Sequence, residues 1–176
     1  MSDLQLFAER NRIYSEAHDG RLPLMPKLST IVLTCIDARI DPAYFLGLKE
    51  GESIIIRNAG GRITEEVEKE LGILSVMAAT VGGENFKGLS LAIVQHTDCG
   101  YERLANPQLR TAIHQKTGIQ MAELESMANH NHTQSLANDI QKLRNSPFAS
   151  DNLIVSGHIF DVDTGIIQEV YSPQKL

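Results

Sequence analysis

The chain is short of several things, and each shortage narrows what it does. Only two cysteines occur in 176 residues, too few for the disulfide frameworks that staple small secreted domains. Basic residues do not dominate: 16 Lys and Arg face 22 Asp and Glu, so no nucleic-acid partner is expected. No apolar run approaches the roughly 18 residues that cross a bilayer, so no membrane partner is expected either. The opening Met1-Ser2-Asp3-Leu4 is acidic where a secretory signal is basic and then apolar. Internal repeats and low-complexity stretches are missing too. These readings point to a soluble, cytoplasmic protein. An apolar fraction of 42% and this length suit one domain over 1–176, with 1–27 as an N-terminal arm and link.

What is there alternates between two periodicities. Residues 3–17 carry Leu4, Phe7, Ala8, Ile13 and Tyr14 at helical spacing. Gly20, Pro23 and Pro26 then impose an irregular link. Thr30-Ile31-Val32-Leu33-Thr34, Ser53-Ile54-Ile55-Ile56, Leu89 to Val94 and Asp151 to Ser156 are short apolar runs, the signature of parallel strands buried on both faces. Thr64 caps a predicted helix with Glu65 and Glu66 in its first turn, and Val67, Leu71, Leu74 and Met77 continue it. A further helix is expected at about 133–145, and Ile166 to Val170 reads as a last, edge strand. Strands alternating with helices imply an α/β fold with a central parallel sheet. Ligands on such sheets bind beyond the carboxyl ends of the strands.

Both cysteines fall at those ends. Cys35 closes the first strand in Cys35-Ile36-Asp37-Ala38-Arg39, and His96-Thr97-Asp98-Cys99-Gly100 follows the third. Two sulfurs and one imidazole suit zinc and leave one tetrahedral position open for water or a further side chain. An open zinc site activates water; a closed one holds a fold. The plainer alternative, two small core cysteines, is weakened by the carboxylate and guanidinium beside Cys35. Asp37 and Arg39 read as a bidentate pair that keeps the acid ionised and oriented, or as an ordinary loop ion pair. A cysteine-phosphatase loop is set aside, because it needs a longer arch of amides and Asp37 would repel phosphate.

Arg57-Asn58-Ala59-Gly60-Gly61 follows another strand. Its glycine amides at Gly60 and Gly61 are candidate substrate-binding groups for a small anion, and a tight strand-to-helix turn explains them equally well. Among the other histidines, His18 and His114 read as helix-surface or cap residues. His130 and His132 read as solvated, and His158 as a satisfied core imidazole. No proton-shuttle residue is identified.

Taken in order, Cys35-x-Asp37-x-Arg39, Arg57-Asn58-Ala59-Gly60 and His96-Thr97-Asp98-Cys99-Gly100 resemble the β-class carbonic anhydrases. The ending Gly157-His158-Ile159-Phe160-Asp161-Val162-Asp163-Thr164-Gly165 is similar to the compact bacterial and archaeal branch, and the resemblance spans roughly 28–171. It implies a four-stranded parallel sheet with an antiparallel edge strand, flanked by helices. It also implies a homodimer or homotetramer, with the N-terminal helix packed on a partner subunit. Carried over, Cys35, His96 and Cys99 hold Zn2+, and Asp37 with Arg39 form a catalytic dyad that orients and gates. The implied reaction is reversible hydration of carbon dioxide to bicarbonate by a metal-bound hydroxide, a lyase activity on a small-molecule substrate.

Carbonyl sulfide and carbon disulfide hydrolases resemble the same branch, so hydrolysis of a related heterocumulene is the alternative. A non-catalytic zinc protein, with Asp37 resting on the metal, is a lesser one. Three features depart from the branch: Gly61 where Asn is common, Tyr101 where Met is usual, and a longer approach through Glu84-Asn85-Phe86-Lys87-Gly88. They bear on substrate preference. The chain has no Trp and so lacks the residue associated with the bicarbonate-inhibited subtype.

Overall fold

A computed structural model describes residues 4–129 and 131–176. Helix α1 covers Gln5–Glu16, inside the expected 3–17, of which residue 3 lies outside the described residues. It has no buried residue. The Tyr14 hydroxyl ties it to the remainder, donating to Glu50 Oε2 at 2.9 Å. The proline-bearing link then feeds strand β1, Thr30–Cys35.

The remaining elements are α2 (Pro42–Phe45), β2 (Ser53–Asn58), α3 (Glu65–Gly82), β3 (Ser90–His96), α4 (Pro107–Thr117), α5 (Met121–Met127), α6 (His132–Asn145), β4 (Ile154–Phe160) and β5 (Ile167–Lys175). The sheet runs β2-β1-β3-β4-β5. Its first four strands are parallel, and β5 lies antiparallel on the edge beside β4. The α/β expectation therefore holds, including the edge strand. Pro173 sits within β5, where an edge position tolerates its missing N–H.

Alternate residues of the buried strands feed two clusters. Ile31, Leu33, Leu91, Ile93 and Val155 pack with Val67 and Leu71 of α3 and with Leu136, Ile140 and Leu143 of α6. Val32 and Val94 join a smaller cluster with Ile40, Phe160 and the two cysteines. Thr64 caps α3 as expected, its side chain accepting from the Val67 amide, with Glu65, Glu66 and Glu68 in the first turn where the helix dipole favours them. No helix among the described residues is long and apolar enough to cross a membrane.

One strand is displaced from its expectation. The fourth begins at Ile154 rather than Asp151, and it runs on through Gly157 to Phe160. Asp151 and Asn152 form a turn. Gly157 interrupts the apolar run because it pairs with Tyr171 across the sheet, where a Cβ would approach the Tyr171 ring to 3.1 Å.

Candidate metal centre

Strand order sets the site. With β1 and β3 adjacent and β2 on the far side of β1, the crossover reverses between β1 and β3. That is the switch point at which parallel sheets bind ligands. Cys35 ends β1 and His96 ends β3. The turn after His96 places Asp98 in the left-handed region, at φ +51°, and returns the chain so that Cys99 faces Cys35. The two Sγ atoms are 3.9 Å apart. All three donor atoms lie within 4.8 Å of one another, and all three residues are buried.

The donor set fits zinc. Zinc–sulfur bonds of about 2.3 Å in a tetrahedron place two sulfurs about 3.8 Å apart. His96 Nδ1 lies 2.9 Å from the Thr97 carbonyl oxygen, so Nδ1 carries the proton and Nε2 keeps its lone pair. That Nε2 is buried with no hydrogen-bond partner. A metal supplies what it lacks.

The thiols are uneven. The hydrogen bond from Cys99 pulls Cys35 down to about 4 against the opposing effect of burial, helped by the His96 ring and then by the backbone amides of Asp37 and Gly60. The same hydrogen bond, followed by burial, pushes Cys99 well above the ordinary thiol range. The shared hydrogen bond thus makes Cys35 the more acidic of the two thiols; a bound cation would favour the thiolate form of both.

Asp37 stands at the rim of this triangle, its Oδ2 4.0 Å from His96 Nε2. Arg39 donates from Nε to Asp37 Oδ1 at 3.0 Å and from Nη2 to Oδ2 at 2.8 Å, the two-pronged grip expected of the pair. These bonds hold the Asp37 carboxyl well below its usual range. Arg57 fixes the backbone beneath, donating to the carbonyls of Cys35 at 3.0 Å and Asp37 at 2.6 Å.

The glycine turn packs against the same place. Gly61, at φ +63°, lies where a Cβ would come within 3.0 Å of the Cys35 nitrogen and the Thr34 carbonyl carbon. The close approach and the φ angle together require glycine.

With this geometry in view, comparison with known proteins is decisive. The carbonic anhydrase family matches residues 30–167. Beta-carbonic anhydrase 1 of Mycobacterium tuberculosis is 30% identical over 93% of this chain and 95% of that protein. A carbonic anhydrase structure from Streptococcus mutans superposes with a TM-score of 0.81 at 32% identity, covering 97% of this chain and 98% of that one. The chain belongs to the β-class carbonic anhydrase family. A carbon disulfide hydrolase from Acidithiobacillus thiooxidans is also similar, at 26% identity over 76% of this chain and 73% of that protein.

Within this β-class site, some residues do what the sequence reading left out. Asp98 shares Arg39 with Asp37: Arg39 Nη1 donates to Asp98 Oδ2 at 2.7 Å and Nη2 to its carbonyl at 2.8 Å. The signal was present, since Asp98 lies inside the quoted motif. His132 is a correction. It is not solvated but half-buried, hydrogen-bonded to Glu102 at 2.9 Å and close to Asn129 and Gln95. Its polar surroundings in sequence hid this, because its partners are 30 and 37 positions away. His130 lies outside the described residues. His18 is exposed at the end of α1, His114 meets the Ile119 carbonyl, and His158 is satisfied by the Ser156 hydroxyl at 2.9 Å.

Proposed function

We propose that this enzyme hydrates carbon dioxide reversibly on a zinc ion held by Cys35, His96 and Cys99, with Asp37 and Arg39 as its working dyad. The observation that carries the reading is the convergence of two thiols on a buried, unpartnered His96 Nε2, with a carboxylate 4.0 Å away. Zinc held there would supply a Lewis acid able to lower the pKa of water toward 7, a value known from carbonic anhydrase with its three-histidine zinc.

The chain's own residues do the rest. Ionised Asp37 is an acceptor only, so it orients a proton-bearing group beside the triad. Arg39 keeps that acid ionised and aimed. The Gly60 amide serves the Cys35 sulfur, and the Gly60–Gly61 turn forms the wall against which a small anion would rest. A metal-replete sample in stopped flow should hydrate carbon dioxide in proportion to its zinc content. Background rates at full zinc occupancy would sink the reading.

The carbon disulfide hydrolase likeness keeps one second substrate class in play. Assays of carbon dioxide and carbonyl sulfide side by side distinguish them, and faster sulfide release would reverse the order. A purely structural zinc site is disfavoured, because Asp37 spends both oxygens on Arg39.

We read the chain as one domain that acts as a homodimer or homotetramer. Helix α1 and its N-cap expose Leu4, Phe7, Ile13 and Tyr14, and α3 exposes Ile73, Val76 and Met77, apolar faces that suit helix packing on a partner subunit. Light scattering on the full chain and on a form lacking 1–27 tests this: the shorter form should dissociate. Two unpaired buried thiols also suit the cytoplasm.

A further inference from the structure

Behind Cys99 runs a chain of buried polar side chains that the reaction does not use. It starts at Asp139, which is fully buried and receives Arg62 Nε at 2.8 Å. Gln95, also fully buried, donates from Nε2 to the Ser135 hydroxyl at 2.9 Å and to Asp139 Oδ2 at 3.4 Å. Its other amide atom, Oε1, must therefore accept, and Asn129 Nδ2 donates to it at 3.1 Å.

The orientation of Asn129 is fixed independently. Its Oδ1 accepts from the Asn131 amide at 3.2 Å, which leaves Nδ2 to face His132 Nδ1 at 2.7 Å. Nδ1 also lies 3.2 Å from Gln95 Oε1, and at the other ring nitrogen the Glu102 carboxylate is an acceptor only, so a proton sits on Nε2. From there it points at Glu102 Oε1, 2.9 Å away. The same Oε1 accepts from the backbone N–H of Cys99 at 3.0 Å. The Gln95 and Asn129 amides thus each have one orientation, set at the far end by the Asp139 carboxylate.

Cys99 opens a short 3-10 turn, Gly100–Ala105, in which Glu102 is the third residue and reaches back to the first amide. The Glu102 side chain thus closes the turn from one side, opposite the turn's own bond from the Glu102 amide to the Cys99 carbonyl at 2.9 Å, and together they aim the sulfur. Partners just outside a ligand set typically change metal affinity by about 10- to 100-fold.

We propose that Glu102 and His132 are a positioning pair for Cys99, anchored through Gln95 and Asn129 to Asp139, and that they slow the loss of metal from the site. This rests on zinc binding at Cys35, His96 and Cys99 and not on which substrate is turned over.

The test is the rate at which zinc-loaded protein releases metal to a chelator, with the thiolate absorption of the cobalt(II)-substituted protein as a second reading. Glu102→Ala should release zinc about tenfold faster or more, and its cobalt spectrum should shift. Glu102→Gln keeps an oxygen for both donors and should restore the wild-type rate. His132→Ala should release zinc a few-fold faster. The double variant should be no faster than Glu102→Ala alone, because His132 acts through Glu102.

Wild-type release from Glu102→Ala, failure of Glu102→Gln to rescue, or simple additivity overturns the pair. If Glu102→Ala does not fold, wild-type release from His132→Ala overturns it instead. A wild-type protein that holds zinc yet leaves carbon dioxide alone breaks the functional reading, while the release rates still decide this one.

Discussion

The two sides of the metal centre are built from different materials. On the Cys35 side the neighbours are charged and open to water: the side chains of Arg39 and Asp98 are 48% and 58% exposed. On the Cys99 side one partly exposed carboxylate, Glu102, backs onto neutral amides and an imidazole closed in by α6, with Gln95 fully buried. Exposed ion pairs are individually weak and rearrange readily; buried, fully bonded networks resist change. A carboxylate that must orient substrate, and that could swing toward the metal, belongs on the loose side. A ligand that must never let go belongs on the stiff one.

Removing a ligand should abolish the contrast altogether. Cys99→Ser and Cys35→Ser should each lose zinc and all activity above background, read by metal analysis together with stopped flow, because a serine hydroxyl is a poor, protonated ligand. Asp37→Ala should separate the two sides. Zinc is expected to stay bound while turnover falls by about a thousandfold, the scale of a positioned proton acceptor; unchanged turnover would deny the dyad its role.

On the stiff side, Asp139→Ala strands Arg62 beside the core and should cost about 3 kcal/mol in denaturant unfolding. A loss under 1 kcal/mol would mean the network is not rigid. Arg39→Gln should move the acid side of the pH profile. Arg39 depresses the Asp37 pKa, so the wild type draws stability from Asp37 above the ordinary carboxylate value and loses it as pH falls below about 4. The variant should lose less over that window, and its Asp37 should titrate higher, as carboxyl NMR would read. The smallest effect is expected from Asp98→Asn, which keeps the backbone conformation but drops the charge. Turnover should fall a few-fold, and added salt should narrow the difference from wild type.

How much of this was written plainly in the sequence follows from the range of the interactions. The β1 and β3 runs are apolar along their length and end at Cys35 and His96, so both the strands and the rim were legible from pattern alone. Asp37 and Arg39 were legible because they are two residues apart. Strand β4 was misplaced because Gly157 and His158 break its pattern, and Gly157 answers to Tyr171 on another strand. Helices α4 and α5 went unread, since each is short and presents a single buried residue, Arg110 and Leu124 respectively. The Glu102–His132 pair was illegible for a related reason. Its members sit in polar stretches that look like solvated surface, and only the packing of α6 on β3 brings them together.

Asp98 shows what such a site costs its host. An L-residue at φ +51° gives up about 1 kcal/mol against glycine. Asp98→Gly would therefore make the turn more comfortable and remove the carboxylate's hold on Arg39 in one step, leaving only the backbone carbonyl. Heat tolerance and grip pull in opposite directions at this position. A search for hardier versions of the protein would find glycine there attractive and would be selecting for a slacker arginine.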